Sequence, residues 1–535
     1  MSIITLSRVL VRGDHPEGKV SAWLGKHRIS LLTMLPVFGL VAMISIINFN
    51  GFPGRVNDDE GTYVAQAWAV LFRGELAHYT YWYDHPPLGW LQIAGYAGLT
   101  DGFHRAATAV TVGREFMVLM HMLACVMMYI LARRLNFHRV TGAAAVLLFT
   151  FSPVALYYHR MVFLDNIAVM WTLAALVFAA SPRRSLAAAF GSAMCFATAV
   201  LTKETALVML PVVLWVLIQN QPKVGRSWGT VVFLSSFIGA GLFYPLYAVL
   251  KNELTEGPGH VSLIWAIKWQ LFERDGTGSV FNHTTVSYQT VHWWLETDSW
   301  LLVAGAAMVL PALFVRRLRP LAVGLGIQLA MLARGGYLPQ PYVIALIPLS
   351  AILLAGMGEM FVRSRWFAPV GEWPNKFLAQ LRFGFRWSVA RTGVVLVAVS
   401  AAIFGIIGSP AWAHEARYGA TYDPSVYSVQ ATDWVRAHVG KGQVVITDDN
   451  IWADLVMDGY ENPVWLYKAD LDPAVKDKLL RGGWNDVDYL VLPDLSESLL
   501  KSLPIVWEAI QHSRVVVVYG TGDAKMIVRE VIHTE

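Results

Sequence analysis

Charge is what this 535-residue sequence has least of. Only 15% of its residues are Asp, Glu, Lys or Arg, against about 25% in a soluble globular domain, so a soluble fold of this length would lack polar surface. Disorder is excluded from the other side. It depends on low hydrophobicity, whereas 55% of this chain is apolar, with 21 Trp, 20 Tyr and 25 Phe. Cysteine is nearly missing. Cys125 and Cys195 each sit inside an apolar run, which leaves no disulfide framework and no thiolate metal cluster. There is no sequence repeat, no low-complexity tract and no glycine-rich phosphate loop, and the net charge of +4 is unremarkable. No nucleic acid is expected as a partner.

What is present are long apolar runs. A bilayer core of about 30 Å needs roughly 20 apolar residues per helix. Eleven segments are candidate spans: 30–48, 112–132, 140–158, 162–180, 186–201, 205–219, 229–250, 298–315, 320–333, 341–358 and 392–409. Residues 1–29 carry Arg8, Arg12, Lys19, Lys26 and Arg28. That stretch is too long and polar for a signal n-region, so the first span reads as an uncleaved anchor. Cationic residues in short loops mark the cytoplasmic side. With residues 1–29 inside, the loops holding Arg133, Arg134 and Arg139, then Arg183 and Arg184, then Lys223 and Arg226, then Arg316, Arg317 and Arg319, and the stretch 359–391, all fall in the cytoplasm.

The outer side then receives a long loop at 49–111, a second at 251–297, and the region 410–535. The expected fold class is an α-helical polytopic membrane protein, with residues 30–409 as a transmembrane catalytic domain and 410–535 as a soluble α/β domain. In that last region GQVVITDDNIWADLVMDGY reads as strand then helix, VDYLVLP and RVVVVYG as buried strands, and AKMIVREVI as a final strand.

This topology gathers the unusual polar residues on one side: Asn57-Asp58-Asp59-Glu60, His85-Pro86-Pro87, His159-Arg160, Asp165, Lys203-Glu204 and Arg334. Ionisable groups at membrane ends are costly and mark function by default. Each also has a structural explanation. Asn57 with Glu60 forms a capping pair for TYVAQAWAVLFRG, where Tyr63, Val64, Ala67, Trp68 and Leu71 make one apolar stripe suited to a helix lying in the interface. His85 before two prolines terminates a helix. Arg160 with Asp165 is a local ion pair, and Lys203 and Arg334 snorkel to headgroups. In ITDDN, Asp448 and Asp449 cap a helix. Three consecutive acids exceed the need of one cap, and five loops contributing ions to one face describe a site. A carboxylate there can take a proton from an acceptor hydroxyl, while Lys, Arg and His can hold a phosphate as its charge develops.

The segments NDDEGTYVAQAWAV, YDHPPLGWLQIAG, RMVFLDNIAVMWTLAALVFA, LTKETALVMLP and RGGYLPQPYVIALIPLSAILLAG resemble the bacterial glycosyltransferases related to protein O-mannosyltransferases and to the aminoarabinose transferase of lipid A. These have the GT-C fold and are family 39-like. The resemblance covers about residues 30–360. It implies an inverting enzyme that transfers a sugar from a polyprenyl-phosphate donor to a glycan, lipid or protein acceptor outside the plasma membrane. It implies Asp59 as catalytic base with Glu60 beside it, and Asp165 as a second acidic position. It also implies His85, Arg160, Lys203 and Arg334 as contacts for the donor phosphate. Asp58 and His159 are left for acceptor or metal. No cofactor is required; a divalent cation is compatible with carboxylates and one His, though no spacing specifies a metal site. His85 stands where aminoarabinose transferases usually have Lys, a departure that would make phosphate binding respond to pH.

Two other readings share parts of this pattern. A transporter or flippase of lipid-linked sugars also needs many spans and embedded charges, but calls for repeated halves and broken midplane helices, and no such symmetry is visible. A lipid-linked oligosaccharide ligase shares the donor chemistry and transfers a preassembled chain. The C-terminal domain is expected to bind acceptor or to dock on the outer loops.

Overall fold

The computed structural model describes residues 16–55, 57–362, 410 and 412–533. The expected span 392–409 and nearly all of the basic stretch 359–391 lie outside the described residues. Every other expected span coincides with helix. Four helical segments are long and apolar enough to cross a membrane: His27–Ile46, Ala109–Arg134, Lys223–Leu250 and Gln340–Phe361. Five more are apolar but shorter: Arg139–Phe151, Leu164–Ala179, Leu186–Thr202, Glu204–Asn220 and Arg319–Leu332.

In chain order the helices that position the site are α1 (Pro16–Ile46), α2 (Asp58–Phe72), α3 (Leu88–Thr100), α4 (Gly102–Arg105), α5 (Ala109–Arg134), α6 (Arg139–Phe151), α7 (Pro153–Tyr158), α8 (Leu164–Ala179) and α9 (Leu186–Thr202). They are followed by α10 (Leu210–Asn220), α11 (Arg226–Gly241), α12 (Phe243–Leu250), α13 (Leu263–Lys268), α14 (Val286–Ala312), α15 (Arg319–Leu332) and α16 (Leu346–Val362).

Two spans differ from expectation for local reasons. The run 140–158 is two helices, because Ser152 leaves the helical conformation and its hydroxyl caps the Ala155 N–H at 3.3 Å, with Pro153 opening α7. The run 298–315 is the second half of α14, which bends at Asp298 (φ −148°). There the carboxylate accepts the Leu301 N–H at 3.0 Å and caps the continuing helix from inside.

Small residues let the apolar helices approach closely. Ser192 on α9 donates to the Ala175 carbonyl of α8 at 2.9 Å, and a Cβ on Gly305 would sit 2.3 Å from Ser350 of α16. By contrast α11 and α12 present Trp228, Val231, Ile238, Leu242 and Phe243 outward, as a lipid-facing surface does.

Residues 444–531 form a five-stranded sheet of β1 (Val444–Thr447), β2 (Asn462–Trp465), β3 (Tyr489–Pro493), β4 (Ser513–Tyr519) and β5 (Met526–Val531). The order is β2-β1-β3-β5-β4. β1 runs parallel to β2 and β3, and β5 runs antiparallel to β3 and β4. Alternate residues feed two cores, Ile446 toward the helix Pro504–Gln511 and Val445 toward the helices Ser425–His438 and Asp449–Met457. RVVVVYG is not a buried strand. It is β4, the sheet edge, with Val515, Val516 and Val518 exposed and its register broken between Val515 and Val517, a device that blunts an edge.

Candidate functional site

The site is built where α2 begins. Asn57 sits in extended conformation and its side chain accepts the Asp59 N–H at 2.9 Å, so the expected cap forms. Three acids in the first turn then favour the positive end of the helix dipole. The reciprocal half of the pair does not form. Glu60 turns inward, takes both guanidinium arms of Arg114 at 2.7 and 2.9 Å, and accepts the Val162 N–H at 2.9 Å. The α2 stripe packs on protein. Most of it is buried, between α3, α5 and the helix Asp449–Met457.

Asp58 and Asp59 point to different work. Asp58 accepts the Asp449 N–H at 2.7 Å and the Trp465 indole N–H. It therefore docks the C-terminal domain onto α2. Gly61 makes the approach feasible, since a Cβ there would lie 2.1 Å from the Asn450 nitrogen. Asp449 in turn accepts from Thr62 Oγ1 at 2.8 Å and pairs with His78 at 3.0 Å. Asp454 accepts the Ala109 N–H at 2.6 Å, and Asp472 accepts the Thr80 N–H at 3.0 Å. Asp448 caps its helix as expected, accepting the Ile451 N–H at 3.1 Å.

Burial pushes the Asp58 and Asp449 carboxyls well up from the usual range and Asp448 up to about 7. Acids raised on folding stabilise the docked state below their ordinary pKa, and that contribution is lost as pH rises through the folded value. The helix Asp449–Met457 is thus expected to exchange its amide hydrogens faster at pH 8.5 than at pH 6, after correction for intrinsic rates. Equal protection at both values would remove the acid cluster from docking.

Asp59 faces the other way. The residue is exposed, yet the surrounding protein desolvates its carboxyl and holds its pKa above the usual value, while Lys203 and His85 pull it down, Asp84 pushes it up and Arg274 pulls it down. His85 does not end a helix; with Pro86 and Pro87 it opens α3. Lys203 is the extended residue that closes α9. Its ammonium lies 2.9 Å from His85 Nε2, and His85 Nδ1 lies 3.0 Å from Glu204 Oε2. An ammonium only donates. In the neutral imidazole His85 Nε2 then accepts from the ammonium and Nδ1 faces Glu204. Lys203 also stands 3.8 Å from Asp165 Oδ2. Burial lowers the Lys203 pKa, but Asp165, Glu204, Asp59 and Asp84 outweigh it and the ammonium is stabilised. Asp165 opens α8, and the turn before it is tied by Asn166, which donates to the Tyr158 and Met161 carbonyls at 2.9 and 3.0 Å.

The structure brings Asp59, His85, Asp165 and Lys203 together; Arg160, His159 and Glu60 have other neighbours, and Arg334 lies near Tyr342 of the pocket that starts at Asp165. Arg160 is buried and donates to the Ile44 and Gly419 carbonyls at 2.6 and 3.2 Å, so it ties α1 to the C-terminal region. His159 is buried with its ring 4.1 Å from that of His121. Glu60 is the ion-pair partner of Arg114. Arg334 is exposed past the end of α15, within electrostatic reach of Tyr342. Sequence reasoning named Glu204 beside Lys203 without giving it a role, and missed Asp84 and Arg274. Asp84 and Glu204 adjoin residues already chosen, so their neighbours were the signal. Arg274 is one of three cations in the second outer loop, with Lys251 and Lys268; it is held 3.4 Å over the Tyr337 ring, and nothing in its local sequence marks it. Among the described residues, no three His, Cys, Asp or Glu side chains are placed to hold a metal ion.

An apolar pocket starts at Asp165 and continues between α8, α15 and α16, lined by Leu173, Met209, Tyr342 and Leu349. A second, much larger cavity of about 890 Å³ reaches Asn57 from the C-terminal side.

Residues 84–247 match the family model of dolichyl-phosphate-mannose-protein mannosyltransferase. No curated protein matches the chain in sequence. The fold is similar to that of ArnT from Cupriavidus metallidurans bound to undecaprenyl phosphate, at 16% identity and a TM-score of 0.55, over 92% of this chain and 97% of that one. The apo form of ArnT gives 17% identity and a TM-score of 0.54 over the same shares. The Archaeoglobus fulgidus oligosaccharyltransferase in complex with Zn and sulfate gives 12% identity and 0.51, over 90% of this chain and 72% of that one.

Proposed function

From a GT-C fold related to protein O-mannosyltransferases and ArnT, we propose that this chain is a multi-pass plasma-membrane glycosyltransferase. It transfers a sugar from a polyprenyl-phosphate donor to an acceptor hydroxyl on the extracytoplasmic face, with inversion. The observation that carries this reading is a buried Lys203 ammonium 3.8 Å from Asp165, the residue at which an apolar pocket starts, with the accessible Asp59 within its electrostatic reach. That combination suits a phosphate with a lipid tail on one side and a nucleophile on the other.

In this mechanism Asp59 removes the proton of the acceptor hydroxyl. The oxygen attacks the anomeric carbon as the bond from that carbon to the phosphate oxygen breaks, through an oxocarbenium-like transition state. Polyprenyl phosphate leaves with the bonding electrons, and Lys203, with Arg274 beside the site, stabilises its growing charge. His85 and Glu204 hold Lys203 in place. The tail lies along the pocket that starts at Asp165.

The test is purified protein in lipid with a panel of labelled polyprenyl-phosphate monosaccharides, following release of polyprenyl phosphate. Wild type is expected to release it from at least one donor. Lys203→Met is expected to lower kcat/KM for that donor by about 10²-fold or more. No release from any monosaccharide donor by folded protein would move the assignment to an oligosaccharide ligase or a transporter, and an unchanged Lys203→Met would remove the lysine from donor binding.

A further inference from the structure

The larger cavity has a composition that speaks to its occupant. Its volume of about 890 Å³ lies within the range of small-molecule sites. The Tyr418 and Tyr422 rings stack 4.5 Å apart, both partly exposed, and Phe52 meets Tyr418 edge-on at 5.7 Å. Phe52 also meets Tyr157 edge-on at 5.8 Å, and Tyr157 packs edge to face on Trp293 at 4.9 Å, so the rings form one aromatic chain along the cavity. Gln289 and Gln340 line it as well. Among the described residues no Lys or Arg lines the cavity, and the one charged lining residue is Glu415.

Aromatic faces with an apolar body and a polar rim, interleaved with amides and hydroxyls, fit molecules that are flat and apolar on one face and hydroxylated at the edge. Sugar rings have that form. An anionic acceptor would find a carboxylate and no described cation, which costs binding. The cavity also reaches the start of α2. Asn57 lines it, and the same Asn57 side chain caps the Asp59 N–H at 2.9 Å.

We infer that this cavity is the acceptor site and that it takes a neutral oligosaccharide, rather than a phosphorylated glycolipid or a peptide. The inference rests on the transferase reading above and names its acceptor. The chain enters along the tyrosine pair and presents a hydroxyl at the Asn57 end, next to the base.

The test uses the full chain in lipid nanodiscs with three neutral probes (mannohexaose, cellohexaose and an arabinan hexamer), a phosphorylated glycolipid and a Ser/Thr-rich peptide. Binding is read from quenching of tryptophan fluorescence, and transfer from product formation with the active donor. At least one neutral probe should bind and accept sugar. In Tyr418→Ala/Tyr422→Ala, a change on exposed side chains, its Kd and acceptor KM should rise about tenfold or more, and more than the donor KM. Transfer to the phosphorylated lipid or the peptide with no neutral probe bound would overturn the inference while keeping the transferase reading. So would an acceptor KM indifferent to the tyrosine pair. Neutral binding that depends on the tyrosines, with no polyprenyl phosphate released from any donor, would overturn the transferase reading instead.

Discussion

Asp59→Asn is expected to lower transfer by about 10²–10⁴-fold, the usual contribution of a general base, with the protein still inserted and folded. The fold should survive because the contact that starts α2 involves the Asp59 backbone N–H, not its side chain, and the residue is exposed. The two acids on either side do the structural work, Asp58 with Asp449 and Trp465, Glu60 with Arg114. The pH profile adds a second readout. A base must be deprotonated, so the wild-type rate should rise with pH through the Asp59 pKa. Desolvation sets that value above the ordinary carboxylate range against the pull of Lys203, His85 and Arg274, so the acid limb should lie above the usual range too. Asn should remove the limb along with the rate. The measurement is polyprenyl phosphate release against pH, with a thermal unfolding curve on each sample. Turnover near the wild-type rate in the variant would sink the base assignment.

That Asp58, Asp59 and Glu60 part company was not legible in the sequence, although the importance of the cluster was. On a helix, consecutive residues point about 100° apart, so one motif serves a domain interface, a cavity and a core at once. What a motif alone conveys is that several acids are needed. Which acid meets which partner depends on residues hundreds of positions away, such as Trp465 for Asp58 and Arg114 for Glu60. The helices were legible because apolar runs of spanning length carry their own signal, and the breaks at Ser152 and Asp298 were not, because each depends on a single side chain capping a neighbouring amide. Arg160 illustrates the same limit in the opposite sense. A cation beside an acid at a membrane end reads as a phosphate contact, yet its guanidinium donates to the carbonyls of Ile44 and Gly419, and backbone acceptors leave no trace in sequence. The β4 valines misled for a related reason: a run of β-branched residues predicts a strand, but not whether it lies at the centre or the edge of the sheet.

Glu60 supplies the other large effect, and on stability. Its pair with Arg114 is bidentate and almost wholly buried, with the two side chains 0% and 1% exposed. Removing one partner of such a pair leaves the other charge without compensation in a medium that cannot solvate it, at a cost of about 3–5 kcal/mol. Glu60→Ala should destabilise by that order, and it also strips the Val162 N–H of its acceptor. Arg114→Ala should be at least as damaging, because its guanidinium also holds the Phe49 and Asn50 carbonyls at 3.0 and 2.9 Å and so fixes the chain that leads from α1 into the site. Glu60→Gln keeps the shape, two acceptor lone pairs and the contact to Val162 while removing the charge, so it should fall between Ala and wild type. Thermal unfolding in nanodiscs gives the ranking, and transfer measured on the fraction that remains folded gives the discrimination. If Glu60 only holds the framework, folded Glu60→Gln keeps a substantial rate where folded Asp59→Asn does not. A Glu60→Gln protein as stable as wild type and as inactive as Asp59→Asn would show the opposite, that Glu60 belongs to the chemistry and that its pairing with Arg114 tunes it.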